Sequence, residues 1–132
     1  ASLRAFRELA PARGLELIVL GGIYLPDFQI LVGPQTVAAL QDLHVDRLFL
    51  GADGLSAAHG VTSANVLEAE ASRAMVRAAA ETVVVADSSK INAVGLTTII
   101  PLTRASKLIT DSGAPPEFVA ALQQQGVEVI LV

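Results

Sequence analysis

A chain of 132 residues, 52% hydrophobic and 17% charged, holds enough apolar material for one packed core, which excludes an intrinsically disordered segment. It has no cysteine, so disulfide scaffolds, thiolate catalysis and cysteine-ligated zinc are excluded within it. The net charge of −4, with two lysines and seven arginines spread along the chain, argues against a nucleic-acid-binding surface, because neutralising phosphates needs clustered positive charge.

In chain order, short apolar runs alternate with helix-like segments. Leu17–Leu20, Arg47–Leu50, Thr82–Ala86, Thr97–Leu102, Leu108–Thr110 and Val127–Val132 are predicted strands. Most are continuously apolar, which suits strands covered on both faces. Pro34–Leu43, Asn65–Ala80 and Pro116–Gln125 are predicted helices, with Pro34 and Pro116 in the first turn, where proline is tolerated, and Gly126 as a helix stop. The alternation predicts an α/β fold with a largely parallel sheet and right-handed crossovers. No internal repeat or long linker divides the sequence.

Within the helix predicted over Asn65–Glu81, Glu70, Arg73, Arg77 and Glu81 fall on one solvated stripe. Glu68 lies two residues before Glu70, roughly 200° around the helix, on the face that carries Ala71, Ser72, Met75 and Ala79. A lone carboxylate facing apolar surroundings is costly, so Glu68 is expected to face a cleft or a specific partner.

Ligands of open parallel sheets bind beyond the carboxyl ends of the strands. Applied here, that rule gathers Gly21 and Gly22, then Gly51, Asp53 and Gly54, then Asp87, Ser88, Ser89 and Lys90, and finally Asp111, Ser112 and Gly113. Glycines let a ligand approach the backbone, carboxylates accept from sugar hydroxyls, and a lysine meets an anion or carbonyl oxygen. Each feature also has a structural reading. The glycines fit tight turns, Asp53 and Asp87 fit caps of the turns that follow them, and Asp111-Ser112-Gly113 before Pro115-Pro116 fits a loop. Lys90 reads equally as a ligand contact or a surface residue. His44 and His59 have no partner at metal-ligand spacing, so no metal site is expected. Ser88 and Ser89 lack a nucleophile elbow, and neither a dinucleotide fingerprint nor a Walker loop is present, so no cofactor is expected. These residues alone describe a small-molecule-binding α/β domain.

The runs Leu20-Gly21-Gly22, Val32-Gly33-Pro34 and Asp46-Arg47-Leu48-Phe49-Leu50-Gly51-Ala52-Asp53-Gly54 carry a resemblance. It continues through Gly60-Val61-Thr62-Ser63, Glu68-Ala69, Arg73-Ala74-Met75, Ala86-Asp87-Ser88-Ser89-Lys90 and Ile109-Thr110-Asp111. In this order and spacing, from about Leu15 to the C-terminus, the chain resembles the effector-sensing domain of DeoR-type bacterial transcriptional repressors. The resemblance implies a Rossmann-like, mostly parallel sheet flanked by helices, related to ribose-5-phosphate isomerase and glucosamine-6-phosphate deaminase. It implies sensing of a phosphorylated sugar, with DNA bound only through a winged helix-turn-helix outside these residues.

Two departures follow. There is no winged helix-turn-helix here, and the family's Asp-x-Gly-Thr-Thr-like phosphate loop and Thr-Asn strand end do not occur. The segment Ala1-Ser2-Leu3 looks like the helix just after them, so the chain is expected to be the later two-thirds of a sensor domain, one unit over 1–132, lacking its first strand or strands. Carried over residue by residue, the resemblance gives Gly51, Asp53 and Gly54 to a sugar-facing loop and Glu68, Asp87 and Lys90 to the polar wall of the pocket. In the related isomerases the matching loop reads Asp-Gly-Ala-Asp-Glu, whereas Leu50 stands here at the first acidic position and Gly54 at the last. Binding without turnover is therefore expected. The competing reading is a sugar-phosphate isomerase or amino-sugar-phosphate deaminase with Glu68 or Asp53 as base and Lys90 as electrophile. No apolar run reaches the roughly 18 residues that span a bilayer and no charged-then-apolar leader opens the sequence, so a cytoplasmic location without membrane association is expected. A sheet lacking its first strands exposes an edge, from which a homo-oligomer is expected.

Overall fold

A computed structural model describes residues 2–132; Ala1, the first residue of the helix-like opening, lies outside the described residues. A helix, α1 (Leu3–Leu9), is capped by the Ser2 side chain, which accepts from the Ala5 amide. It is followed by an antiparallel hairpin of β1 (Ile23–Leu25) and β2 (Ile30–Val32), then α2 (Pro34–Leu40). Next come β3 (Val45–Leu50), a second hairpin of β4 (Gly54–Ser56) and β5 (Gly60–Ser63), and α3 (Val66–Ala78). The chain then runs through β6 (Ala79–Val85), a 3-10 turn at Ser88–Lys90, β7 (Thr97–Ile100) and β8 (Lys107–Thr110). It ends with α4 (Pro116–Gln124) and β9 (Glu128–Leu131).

Four strands form the main sheet in the order β3-β6-β8-β9, every pair parallel. The mixed α/β fold with a parallel sheet and flanking helices is thus the architecture expected from the alternation of apolar runs and helical segments. Sheet order follows chain order, and right-handed crossovers then put the connecting elements on one face. On that face Leu50, Leu55, Val61, Val84, Leu108 and Phe118 share one core. In the opposite set of alternating side chains, Phe49 and Val85 are 64% and 42% exposed. Two cross-strand ion pairs, Arg47 with Glu81 and Lys107 with Glu128, join register neighbours.

Four expectations are corrected. Leu17–Leu20 forms no strand; apolar composition alone cannot create one without a neighbour to share its backbone hydrogen bonds, and Leu17, Ile18 and Val19 remain exposed. Thr97–Leu102 contributes β7, but in a separate three-stranded antiparallel sheet, β4-β5-β7. The helix predicted to reach Ala80 stops at Ala78, and Ala79 is already extended at φ −102 and ψ 140. Glu81 therefore sits on a strand beside Arg47 and does not continue the Glu70–Arg73–Arg77 stripe. The helix from Pro34 ends at Leu40 and not at Leu43. Gly126 does act as the helix stop, with a left-handed φ of +85, while the Val127 amide reaches back to the Leu122 carbonyl.

Candidate functional site

The parallel strands β3, β6 and β8 end at Leu50, Val85 and Thr110, so Gly51, Asp87 and Asp111 leave the sheet at one rim. Because α3 runs from this rim back to the start of β6, its first turn, with Glu68, also lies there. Asn65 sets that turn: its side-chain oxygen accepts from the Glu68 amide at 3.1 Å.

Asp53 and Glu68 meet through Ser63, a residue named in the run Gly60–Ser63 but given no role from the sequence. Its side chain is buried at the end of β5, and its hydroxyl donates to Glu68 Oε2 at 2.8 Å. The same oxygen lies 3.4 Å from Asp53 Oδ2 and accepts from the Asn65 amide at 3.1 Å. Asp53 Oδ2 in turn accepts from the Ala64 amide at 2.8 Å. Asp53 is thus fixed by the strand that follows it, and Glu68 by the serine between them. Burial pushes the Glu68 carboxyl above its ordinary value; the Ser63 hydrogen bond opposes the rise, and the Asp53 charge adds to it. The signal for Ser63 was its place in Gly60–Ser63, whose four residues are all buried. A strand of four is too short to stand out by alternation.

Asp87 caps the 3-10 turn that carries Lys90. It accepts from the Ser89 hydroxyl and, at 3.0 Å, from the Ser89 amide, and these bonds, with the Lys90 charge, hold its carboxyl below the usual value. Asp111 accepts from the Ser88 amide at 2.6 Å and from the Gly113 amide at 2.8 Å, and its carboxyl is lowered for that reason. Asp111 therefore holds the 3-10 turn to the end of β8. The two halves of the rim are joined by backbone contacts: the Asn92 amide donates to the Leu55 carbonyl at 2.8 Å, and Ile91 bridges to Leu55.

The glycines divide. Gly51 is exposed and has nothing within 4 Å of where a Cβ would stand, so its backbone is open to a ligand. Gly54 is buried, and a Cβ there would lie 2.4 Å from the Ala93 carbonyl oxygen, which gives its missing side chain a packing reason. Gly21 and Gly22 follow the segment that forms no strand. The Gly21 carbonyl accepts from the Thr36 hydroxyl at 2.6 Å, and a Gly22 Cβ would meet that hydroxyl and the Val32 carbonyl at 2.3 Å. Their close neighbours are thus on α2 and β2.

A hollow of about 140 Å3 opens at this rim, lined by Gly51, Glu68, Ser72, Met75, Val32 and Phe49 among others, but not by Asp53, Asp87 or Lys90. Hollows of about 310 and 540 Å3 lie elsewhere, one around His59 and Phe118 and one around His44 and Arg77. Among the described residues no group of three His, Asp or Glu side chains stands where it can hold a metal ion, and no helix is long and apolar enough to cross a membrane.

The model of the DeoR C-terminal sensor domain matches residues 1–112. This chain belongs to the DeoR C-terminal sensor domain family. Among its relatives is a putative aga operon transcriptional repressor of Escherichia coli O157:H7, 40% identical over 94% of this chain and 46% of the relative. An uncharacterized helix-turn-helix transcriptional regulator of Bacillus subtilis, YulB, is 33% identical over 99% and 51%. The repressor GlcR of the same species is 29% identical over 93% and 47%. The chain spans about half the length of these curated relatives, all named as transcriptional regulators.

Proposed function

We propose that this DeoR-type sensor domain binds a phosphorylated sugar at the carboxyl rim of its parallel sheet and passes that occupancy to a DNA-binding domain. The observation that carries this reading is the pairing of Asp53 with Glu68 through Ser63, beside the open Gly51 and at the same carboxyl rim as the turn of Asp87 and Lys90. In this reading the carboxylates accept from sugar hydroxyls, the Gly51 backbone admits the ring, and Lys90 meets an anionic oxygen. Gly54 shapes the loop from beneath, and Gly21 and Gly22 approach the ligand from the side of β2, whose Val32 lines the hollow with Gly51 and Glu68.

The output is a population shift. A sugar phosphate that binds one arrangement of the rim better than another changes the affinity of attached DNA-binding residues for an operator by the same differential. Residues 1–132 act as one unit, the later part of the sensor, in a cytoplasmic regulator that represses genes of sugar use. The exposed Phe49 and Val85 favour assembly with further copies. The rim favours binding over turnover, because its two carboxylates are engaged by Ser63 and by the Ala64 amide and no acid stands at positions 50 or 54.

Calorimetric titration of the full-length protein with a panel of hexose, pentose and amino-sugar phosphates tests this. Saturable binding of one of them, weakened by Lys90→Ala, is expected. No binding at millimolar concentration contradicts the reading, and aldose–ketose conversion above buffer, followed by NMR, replaces it with the enzymatic one.

A further inference from the structure

We propose that Thr62 is the positioning residue that latches the two halves of the rim together. The proposal rests on the rim being the ligand site, and it concerns how that site is held as one body.

Thr62 is fully buried in β5. Its hydroxyl donates to the Gly54 carbonyl at 3.2 Å and accepts from the Gly95 amide at 2.8 Å, so both its donor and an acceptor site are in use. Its own carbonyl accepts from the Asp53 amide at 3.0 Å. One residue thus fixes the Asp53–Gly54 loop twice and, from the other side, the Asn92–Leu96 segment that leads on from the turn of Asp87 and Lys90. The neighbours are built to allow this contact. A Cβ on Gly95 would lie 2.6 Å from the Ser63 carbonyl carbon, and one on Gly54 would lie 2.7 Å from the Thr62 hydroxyl. Only bare backbone on both sides lets a threonine hydroxyl span the gap. The ladder between β5 and β7 also shifts register between Val61 and Thr62, an irregularity of the kind that re-aims a side chain.

The consequence is mechanical. A displacement of the Asn92–Gly95 segment when an anion meets Lys90 reaches Asp53 through Thr62, and Glu68 and the start of α3 through Ser63. Serine keeps the hydroxyl; valine keeps the shape and loses both bonds.

Amide hydrogen exchange on the full-length protein tests this without any ligand. Thr62→Val is expected to speed exchange at Gly95 and, in the first turn of α3, at Glu68 by about tenfold, while Thr62→Ser stays within threefold and slow amides of β6 are unchanged. Gly95→Ala, which pries the segment from Ser63, is expected to speed exchange at Glu68 as well; it carries the test with Thr62→Ser if the valine variant does not fold. Local packing alone would raise exchange only at Gly95, at Ser63 and Ala64, which a Gly95 Cβ would touch directly, and at their chain neighbours, and that result overturns the latch. So does protection at Glu68 within twofold of wild type in both Thr62→Val and Gly95→Ala. A wild-type protein that bound no sugar phosphate would remove the ligand reading while leaving this outcome readable.

Discussion

Replacing Ser63 with alanine removes the one hydroxyl that stands between Asp53 and Glu68. The lost bond to Glu68 Oε2 has an ionised acceptor, and such bonds contribute about 1.5–3 kcal/mol; the bond accepted from the Asn65 amide contributes about 0.5–1.5 kcal/mol. Glu68 is only half-buried, so water takes up part of both losses, and the expected destabilisation near neutral pH is about 2 kcal/mol. For a chain of this length that is a fall in Tm of roughly 6–10 °C. The change also removes the effect that pulls the Glu68 carboxyl down, so Glu68 should titrate still higher in the variant. Equilibrium unfolding in urea, run near neutral pH and again where carboxylates are protonated, separates these contributions. Once Glu68 is neutral its bond to Ser63 has lost its ionic share, so the difference between wild type and variant should shrink to about 1 kcal/mol. A loss under about 0.5 kcal/mol near neutral pH, or one that does not shrink on acidification, refutes the role given to Ser63.

Glu68→Gln should flatten the pH dependence of stability. A carboxyl raised in the folded state contributes stability that is fully present below its unfolded value and is lost as pH rises through its folded value. Wild type should therefore lose stability relative to the glutamine variant across that window, and parallel pH profiles of urea midpoints would contradict the burial described. Gly54→Ala should cost about 3 kcal/mol, because the new Cβ meets the Ala93 carbonyl at 2.4 Å; a Tm within 2 °C of wild type, as thermal unfolding would reveal, counts against this close approach. Asn65→Ala should cost about 1 kcal/mol in urea unfolding through loss of the α3 cap, and Asn65→Asp should retain most of it.

The elements legible in the sequence are those whose signal is local and long enough. The continuous apolar runs of Arg47–Leu50, Thr82–Ala86 and Leu108–Thr110 became three strands of the parallel sheet, the first at its edge and the other two inside it, where Val83, Val84 and Leu108 are buried. Leu17–Leu20 has the same composition and no strand partner, and pairing is a long-range property that four residues do not encode. The hairpin of β4 and β5 was hidden by its small residues, Gly54, Ser56, Gly60 and Ser63, which carry weak strand propensity and are held by tertiary packing. At the rim, helical periodicity correctly turned Glu68 away from the stripe of Glu70 and Arg73, where it is half-buried. Periodicity did not find Ser63 or Thr62, whose importance depends on hydrogen bonds to residues as distant in sequence as Gly95. The tract Ala78–Ala80 favours helix on its own, and the pairing of Ala79 and Glu81 with β3 overrides that preference, which is why the boundary between α3 and β6 was misplaced by two residues and Glu81 with it.

Mapping of backbone amide shifts on addition of the tightest-binding sugar phosphate of the panel tests the central claim most directly. The largest changes should fall at Gly51, Asp53, Ala64 and Ser88–Lys90. Changes concentrated instead around His59 and Phe118, or around His44 and Arg77, would place the ligand in one of the two larger hollows and contradict the account.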